Sequence, residues 1–247
     1  MPNGAVGPAT AAAAVAPGLR VGGFVPFTST DYPDALAAVV FCQGCPWRCS
    51  YCHNPHLIAA RGDGEHDFGR ILAWLATRRA LLDAVVFSGG EPTAQPGLPA
   101  AIDAVRALRF AAGLHTNGAY PRRLAQVLPK LDWVGIDVKA PAVDYASVTG
   151  VSGSGTSALE SVELLRNASI AYEVRTTVHP LLTPPDALEV LAGELAGHGV
   201  KRWILQPFRP TGCADAALVA AAPSGITLDN VLLARLSVHV PLIEVRA

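Results

Sequence analysis

Three cysteines stand close together along the chain and limit the chemistry that their loop can support. Cys45, Cys49 and Cys52 follow a short apolar segment at the spacing C-x3-C-x2-C. Three thiolates at these offsets can bind one corner of a cubic [4Fe–4S] cluster, which normally takes four cysteine ligands. Three ligands leave one iron open, and an open iron can bind a substrate or cofactor directly, as catalytic zinc does at its free position. The spacing therefore favours a reactive metal centre over a structural clip.

A fourth cysteine, Cys42, leaves two other interpretations open. With it the segment reads C-x2-C-x3-C-x2-C, which could hold zinc in a small binding module or close a cluster into an electron carrier. Zinc modules usually separate their two ligand pairs by a dozen or more residues, and bacterial ferredoxins order their spacings differently. Cys42 also ends an apolar run, where a lone cysteine is more often a small buried hydrophobe than a ligand. We therefore predict Cys45, Cys49 and Cys52 as the metal ligands.

The composition restricts the class of protein. The chain has 247 residues, of which 51% are hydrophobic, and this suits one sizeable α/β domain. Its formal net charge of −1 provides no broad basic field for nucleic acid or for an anionic membrane. No apolar run approaches the length that spans a bilayer. Four of the five cysteines lie within residues 42–52, so metal binding in a reducing compartment, the cytoplasm, is favoured over a disulfide framework.

The two ends of the chain differ from its middle. Residues 1–17 are rich in Ala, Gly and Pro, carry no charged side chain and lack the positive start of a secretory signal. We expect residues 1–20 to form a disordered or loosely packed extension. Residues 21–247 are predicted to form a single domain, with a C-terminal extension from about residue 210.

Apolar strand patterns alternate with helix patterns about six times. The strand patterns lie at 36–42, 84–87, 111–115, 133–137, 171–178 and 202–206. The helix patterns lie at 67–82, 98–108, 121–128, 157–167, from 184 or 185 to 197, and at 228–238. Such alternation predicts parallel strands joined by right-handed crossovers. Six units are too few for a closed eight-fold barrel, so we predict an α/β fold with a partial (β/α)6 barrel open on one side. The alternation alone would also allow a doubly wound sheet.

The remaining segments are predicted from their composition. Residues 21–33 favour a short β-hairpin before the first barrel strand, and the Gly- and Ser-rich residues 151–156 favour a loop. Residues 242–245 form a candidate final strand.

Polar or glycine-rich residues end several of the predicted strands. They are Ser88, Gly89, Gly90 and Glu91, then Thr116 and Asn117, then Asp137 and Lys139, then Arg175, and finally Gln206. Ligand sites of parallel α/β folds form at the carboxyl ends of the strands. We therefore expect these residues to face one cavity together with the cysteines. Each also has a structural interpretation, because glycines make turns and polar residues cap strands, and strand alternation could point Arg175 into solvent.

Several of these segments resemble a known family. The cysteine spacing is similar to the signature of the radical S-adenosylmethionine (radical SAM) enzymes. The segments 31–33, 43–45 and 51–55, which read DYP, QGC and YCHNP, resemble the activating enzymes of glycyl-radical proteins. The likeness is strongest to the activating proteins of anaerobic ribonucleoside-triphosphate reductase, and it runs from about residue 23 to residue 209.

The resemblance implies both an activity and partners. It implies a radical-SAM barrel and an oxidoreductase whose three-cysteine [4Fe–4S] cluster reductively cleaves S-adenosylmethionine. The resulting radical would generate a glycyl radical on the large subunit of anaerobic ribonucleotide reductase, with a flavodoxin-like protein as electron donor. No catalytic residue is implied beyond the cluster ligands. A different glycyl-radical enzyme or a small-molecule substrate is the alternative, because the cofactor motifs do not encode the partner.

The resemblance also implies which residues contact S-adenosylmethionine. They are Tyr51, His53, Ser88, Gly89, Gly90, Glu91, Thr116, Asn117, Asp137, Lys139, Arg175 and Gln206. Residues 88–90 would bind the amino group, and Glu91 would orient their loop. Lys139 would contact the cofactor carboxylate or an incoming peptide, and Arg175 the carboxylate or the ribose.

Three further positions carry narrower expectations. Tyr51 would lie against the adenine ring or simply pack, and His53 would tune the cluster through a hydrogen bond. In the related pyruvate formate-lyase activating enzyme, an acidic residue before Thr-Asn-Gly helps to bind a monovalent cation. Here that position is His115, so a cation site is doubtful.

Overall fold

The computed structural model describes residues 18–62, 64, 66–222 and 228–246. These residues form one eight-stranded sheet whose strands are neighbours in chain order, β1 to β8. The strands are β1 (Val21–Thr28), β2 (Ala37–Cys42), β3 (Ala84–Gly89), β4 (Ala111–Thr116), β5 (Trp133–Asp137), β6 (Ala171–Val178), β7 (Arg202–Pro207) and β8 (Leu242–Val245).

The helices connect successive parallel strands. They are α1 (Phe68–Ala76), α2 (Leu98–Ala107), α3 (Pro121–Val127), α4 (Tyr145–Thr149), α5 (Ser154–Asn167), α6 (Pro185–Gly197), α7 (Ala216–Ala221) and α8 (Asn230–Ser237). The side chain of Asp67 caps α1 by accepting from the backbone N–H of Arg70, which satisfies one of the free donors of the first turn. No helix in the described part of the chain is long and apolar enough to cross a lipid bilayer.

The sheet is an open barrel wall and not a closed ring. β1 pairs antiparallel with β2, and every later pair, from β2·β3 to β7·β8, is parallel. β1 and β8 are the two edges of the strand order. The predicted open α/β barrel is therefore confirmed, and the doubly wound alternative is wrong because the strands follow one another in chain order.

Both faces of the central strands are apolar, which explains their uninterrupted hydrophobic runs. In β2, Ala38 and Val40 belong to the main core beneath the helices. Ala37 and Val39 of the same strand pack on the opposite face with Ala84 and Val86 of β3, in a smaller cluster. This small apolar cluster lies at the amino-terminal part of the strands, so polar chemistry is left to their carboxyl ends.

Four predicted boundaries differ from the structure. α5 begins at Ser154, inside the stretch predicted as a loop, because Gly153 takes a positive φ of 76° and ends the loop there. α1 ends at Ala76 and not near residue 82. β1 pairs with the first barrel strand itself. β8 pairs with β7, so part of the segment predicted as a C-terminal extension belongs to the sheet.

The chain start is described only in part. Residues 1–17 of the predicted extension lie outside the described residues. Leu19 is buried, with 8% of its surface exposed. The backbone N–H and C=O of Arg20 both bond to the side chain of Gln95, at 2.8 and 2.6 Å. Residues 19 and 20 are thus packed against the barrel.

Candidate active site

A cavity of about 450 Å³ opens at the carboxyl ends of the parallel strands. The three predicted ligand cysteines line it, and so do all but one of the predicted cofactor contacts. The lining predicted contacts are Tyr51, His53, Ser88, Gly89, Gly90, Thr116, Asn117, Asp137, Lys139, Arg175 and Gln206. Glu91 is the exception, since it is fully buried behind the wall. The carboxyl ends of the strands thus bring together predicted residues that are up to 161 positions apart in the chain, from 45 to 206.

Backbone hydrogen bonds hold the cysteine loop on two sides. The N–H of Cys45 donates to the Ile58 carbonyl at 3.1 Å, and the N–H groups of Arg48 and Ser50 donate to carbonyls of α4 at 2.9 and 3.0 Å. Because these bonds fix the loop backbone, the three thiols can stay at defined positions around the cavity.

Cys42 is a core residue. It is fully buried within the hydrophobic core at the end of β2 and is not among the cavity-lining residues. A Cβ on Gly89, its register partner, would lie 2.5 Å from the Cys42 backbone nitrogen, so the two strands approach closely here. Because Cys42 does not reach the cavity that the other three cysteines line, the four-cysteine zinc interpretation has no support in the geometry.

The donor set fits a [4Fe–4S] cluster. Burial raises the pKa of the Cys45 thiol to about 12 and also raises that of Cys49. A bound metal displaces the proton of a coordinating thiol, so these buried thiols can serve as ligands. The His53 Nε2 and Ser50 Oγ atoms, on the same loop, are buried without a hydrogen-bond partner among the described residues. Such orphaned polar atoms are typical of a site shaped for a bound group.

The glycine loop, residues 88–90 at the end of β3, forms the wall of the cavity next to the cysteine loop. A Cβ on Gly90 would lie 2.3 Å from the Gly44 carbonyl oxygen, so no other residue fits without moving the cysteine loop. The N–H groups of Gly90 and Glu91 donate to the carbonyls of Cys42 and Gly44, each at 2.9 Å. The glycine loop and the cysteine loop are therefore locked together.

The buried carboxylate of Glu91 ties two loops of the site together. Its Oε1 accepts from Thr93 Oγ1 at 2.5 Å and from Thr116 Oγ1 at 2.8 Å. Its Oε2 accepts from the backbone N–H of Asn117 at 2.7 Å. Burial raises the pKa of Glu91, and the hydrogen bonds counteract that rise. Glu91 can thus orient the loop after β4, although it does not reach the cavity.

Two cations and a carboxylate form the opposite wall. Arg175 donates to Asp137 Oδ1 through Nη2 at 2.9 Å and through Nε at 3.0 Å. Lys139 Nζ lies 3.6 Å from Asp137 Oδ2 and 3.2 Å from the hydroxyl of Tyr51. Only 8% of the Arg175 surface is exposed, so the alternative that it points into solvent is wrong.

Asp137 and Lys139 stay in their ionised forms in this wall. Burial alone would raise the pKa of Asp137, but the charges of Arg175 and Lys139 outweigh burial and hold it below its usual range. Burial would lower the pKa of Lys139, but Tyr51 and Asp137 raise it well above its ordinary value. The site therefore presents two fixed positive groups, which suit a carboxylate ligand.

His115 is held neutral beside this wall. Its Nε2 lies 2.8 Å from the Asp31 carbonyl oxygen, and its Nδ1 lies 3.3 Å from Ser88 Oγ. A carbonyl can only accept, so Nε2 carries the proton and Nδ1 accepts from the serine. Burial and the charge of Arg175 lower the pKa of His115 to about 4.

Several lining residues were not predicted from the sequence. They include Asp31, Thr177, Arg209 and Arg246. Thr177 follows Arg175 by two positions in β6, so the period of a strand could have placed it on the same face. Asp31 lies in the segment 31–33, which resembles the activating enzymes of glycyl-radical proteins. Arg209 and Arg246 follow β7 and β8, and no local signal marked them.

The comparisons with known proteins identify the class. The profile of the Radical SAM superfamily matches residues 39–192, and the chain belongs to that superfamily. It is a radical SAM enzyme, and its cofactors are a [4Fe–4S] cluster and S-adenosylmethionine. The interpretation as a zinc-binding module without activity is therefore wrong.

The names of individual relatives are more specific than that of the superfamily. A glycyl-radical enzyme activating enzyme of Methanocaldococcus jannaschii is 29% identical over 79% of this chain and 82% of the relative. The pyruvate formate-lyase-activating enzyme of Clostridium pasteurianum is 31% identical over 60% of this chain and 64% of the relative. The Escherichia coli pyruvate formate-lyase 1-activating enzyme is 29% identical over 65% of this chain and 68% of the relative. The family-level resemblance is thus confirmed, and the reductase as target stays a prediction.

Solved structures agree on the fold. A domain of a pyruvate-formate lyase-activating enzyme from Bacteroides vulgatus superimposes with a TM-score of 0.52 at 14% identity, over 67% of this chain and 99% of that domain. Streptococcus suis SuiB bound to S-adenosylmethionine gives 0.60 at 12% identity, over 83% of this chain. The chain spans only 48% of the SuiB structure. At such identities the likeness concerns the fold alone.

Proposed function

We propose that this chain activates a glycyl-radical enzyme, and that its target is the large subunit of anaerobic ribonucleoside-triphosphate reductase. The observation that carries the proposal is the shared cavity. Three cysteines, a glycine loop and two fixed cations line about 450 Å³ at the carboxyl ends of the strands. The segments 31–33, 43–45 and 51–55, which resemble reductase activating proteins, support the choice of target.

Each wall of the cavity has a task in this proposal. Cys45, Cys49 and Cys52 would hold the cluster, and the backbone carbonyls of residues 88–90 would accept hydrogen bonds from the amino group of S-adenosylmethionine. Arg175 and Lys139 would hold its carboxylate. When bound, the reduced cluster and the cofactor together supply a radical that removes a hydrogen atom from a glycine Cα.

The protein's own contribution is positioning and exclusion. The hydrogen bonds of Glu91 and the clamp between the glycine and cysteine loops fix the cavity walls. The sheet is not closed, since β1 and β8 are its edges, and this would leave room for a peptide loop of the partner. A glycine suits the reaction because no side chain crowds the radical centre. We place the reaction in the reducing cytoplasm, with a flavodoxin-like protein as electron donor.

Pyruvate formate-lyase is a second candidate target. The names of the relatives in Clostridium pasteurianum and Escherichia coli favour it. The cavity residues do not separate the two targets, because they would contact the cofactor and not the partner.

One experiment separates the candidates. Anaerobically reconstituted protein would be incubated with S-adenosylmethionine, a reductant and either the anaerobic reductase or pyruvate formate-lyase. Electron paramagnetic resonance (EPR) should show a glycyl-radical doublet with the reductase, and none with the Cys45→Ala variant. A doublet with pyruvate formate-lyase and none with the reductase would show that pyruvate formate-lyase is the target. Cofactor cleavage without a doublet on either protein would overturn both candidate targets.

A further inference from the structure

We propose that Asn117 raises the reduction potential of the cluster by donating a hydrogen bond to Cys45 Sγ, and that Glu91 is the positioning residue that holds Asn117 in place. The inference rests on the proposed ligation of the cluster by Cys45. It does not depend on which partner protein is activated.

The geometry of Asn117 identifies it as a donor to sulfur. Its Nδ2 lies 3.6 Å from Cys45 Sγ. Its Oδ1 accepts from the backbone N–H of Ala119 at 2.9 Å, which fixes the orientation of the amide and leaves the NH2 group facing the thiol. Only 7% of the Asn117 surface is exposed, so water competes little for this donor.

Glu91 fixes Asn117 from behind. Its Oε2 accepts from the Asn117 backbone N–H at 2.7 Å, while Oε1 is held by Thr93 and Thr116. Glu91 is fully buried, and a hydrogen bond to a buried carboxylate is stronger than one between neutral groups. The carboxylate therefore connects the turn after β3 to the loop that presents Asn117 to the cysteine.

The electrostatic consequence has a definite sign. Reduction adds one electron, so the reduced cluster and its thiolates carry more negative charge than the oxidised form. An N–H dipole that points at a ligand sulfur stabilises the reduced form more, and hydrogen bonds to sulfur are known to set cluster potentials. Removing the donor should therefore make the cluster harder to reduce.

Asn117→Ser tests this directly. The serine hydroxyl can still accept from the Ala119 N–H, but it is too short to reach the sulfur. The cluster potential would be measured by redox titration followed by EPR, without S-adenosylmethionine. We expect the midpoint to fall, so that the ratio of reduced to oxidised cluster at the wild-type midpoint drops about tenfold, equivalent to 59 mV for a one-electron couple. Asn167→Ser, at the end of α5 and at the opposite end of the barrel, should titrate as wild type.

A second variant tests the role of Glu91. Glu91→Gln keeps the shape of the side chain but removes the charge that binds the Asn117 N–H. Its midpoint should also fall, by less than that of Asn117→Ser. If Asn117→Ser fails to load a cluster, Glu91→Gln carries the test. Loaded variants whose midpoints equal that of the wild type would overturn the inference, whereas a wild type that binds no cluster would overturn the proposed ligation itself.

Discussion

Asp137 and Arg175 are register partners on neighbouring strands, and their side chains meet at 2.9 Å in the wall of the cavity. Gly135 makes room for this pair, because a Cβ there would lie 2.9 Å from the guanidinium carbon of Arg175. The pair is therefore built into the register of β5 and β6. Among the described residues, the hydrogen bonds of Arg175 engage Nε and Nη2 of the guanidinium and not Nη1, so Nη1 can donate to a ligand.

Replacing Arg175 should weaken cofactor binding. Arg175→Met removes the charge that we propose holds the cofactor carboxylate. A hydrogen bond to a charged group contributes about 1.5–3 kcal/mol, so the Kd for S-adenosylmethionine should rise about 10- to 100-fold. Equilibrium dialysis with the reconstituted protein measures this. Arg166→Met, in the last turn of α5, is the matched control, and an unchanged Kd in Arg175→Met would remove this residue from the binding site.

The cysteines should divide into two groups. Alanine at Cys45, Cys49 or Cys52 should abolish the cluster, whereas wild type should hold about four irons and four sulfides per chain. Cys42→Ala should keep the cluster and S-adenosylmethionine cleavage. Because it leaves a small cavity in the core, it should lower the free energy of unfolding by about 1 kcal/mol.

Iron analysis and thermal melting separate these effects. A Cys42→Ala protein that folds but binds no iron would mean that four cysteines close the metal site.

Cofactor cleavage should not depend on sodium or potassium. Arg175 and Lys139 already balance the charge of Asp137, and neutral His115 offers no negative charge to a cation. Rates measured in sodium, potassium or choline chloride at equal ionic strength should agree. A several-fold stimulation by one small cation would show that a cation site survives without the acidic residue.

The central part of the site could be predicted from the sequence because its signals are local. Each apolar run ends where the predicted cofactor contacts begin, as at Ser88 and Asp137, and parallel strands bring those ends together. The cysteine spacing added the metal chemistry. The start of α5 at Ser154 could not be predicted in this way, because a single glycine of positive φ ends the preceding loop.

The wall near β8 could not be predicted in the same way. Arg246 lines the cavity and pairs with Glu173, a fully buried carboxylate 73 residues away, at 2.8 Å. Nothing near either residue in the sequence indicates the other, because the contact depends on where β8 docks on β7. Predicting it requires the complete sheet order and not a motif.

The neutral state of His115 gives a prediction about stability and pH. Burial and the charge of Arg175 lower its pKa to about 4 from an ordinary value of 6.5. As the pH falls through this range, the unfolded chain takes up the proton first, so the folded state loses stability. The contribution is complete above about pH 6.5 and is lost as the pH approaches 4. Over the full range its size should be about 3 kcal/mol, and between pH 7 and pH 4.5 about 2 kcal/mol.

Comparison with His115→Gln isolates this contribution from other titrating groups. Glutamine can still donate to the Asp31 carbonyl but does not titrate. The difference in the free energy of unfolding between wild type and His115→Gln, measured with urea on the metal-free protein, should shift against wild type by that amount between pH 7 and pH 4.5. A difference that stays constant over this range would mean that the imidazole of the folded protein titrates as it does in the unfolded chain, and that burial does not hold it neutral.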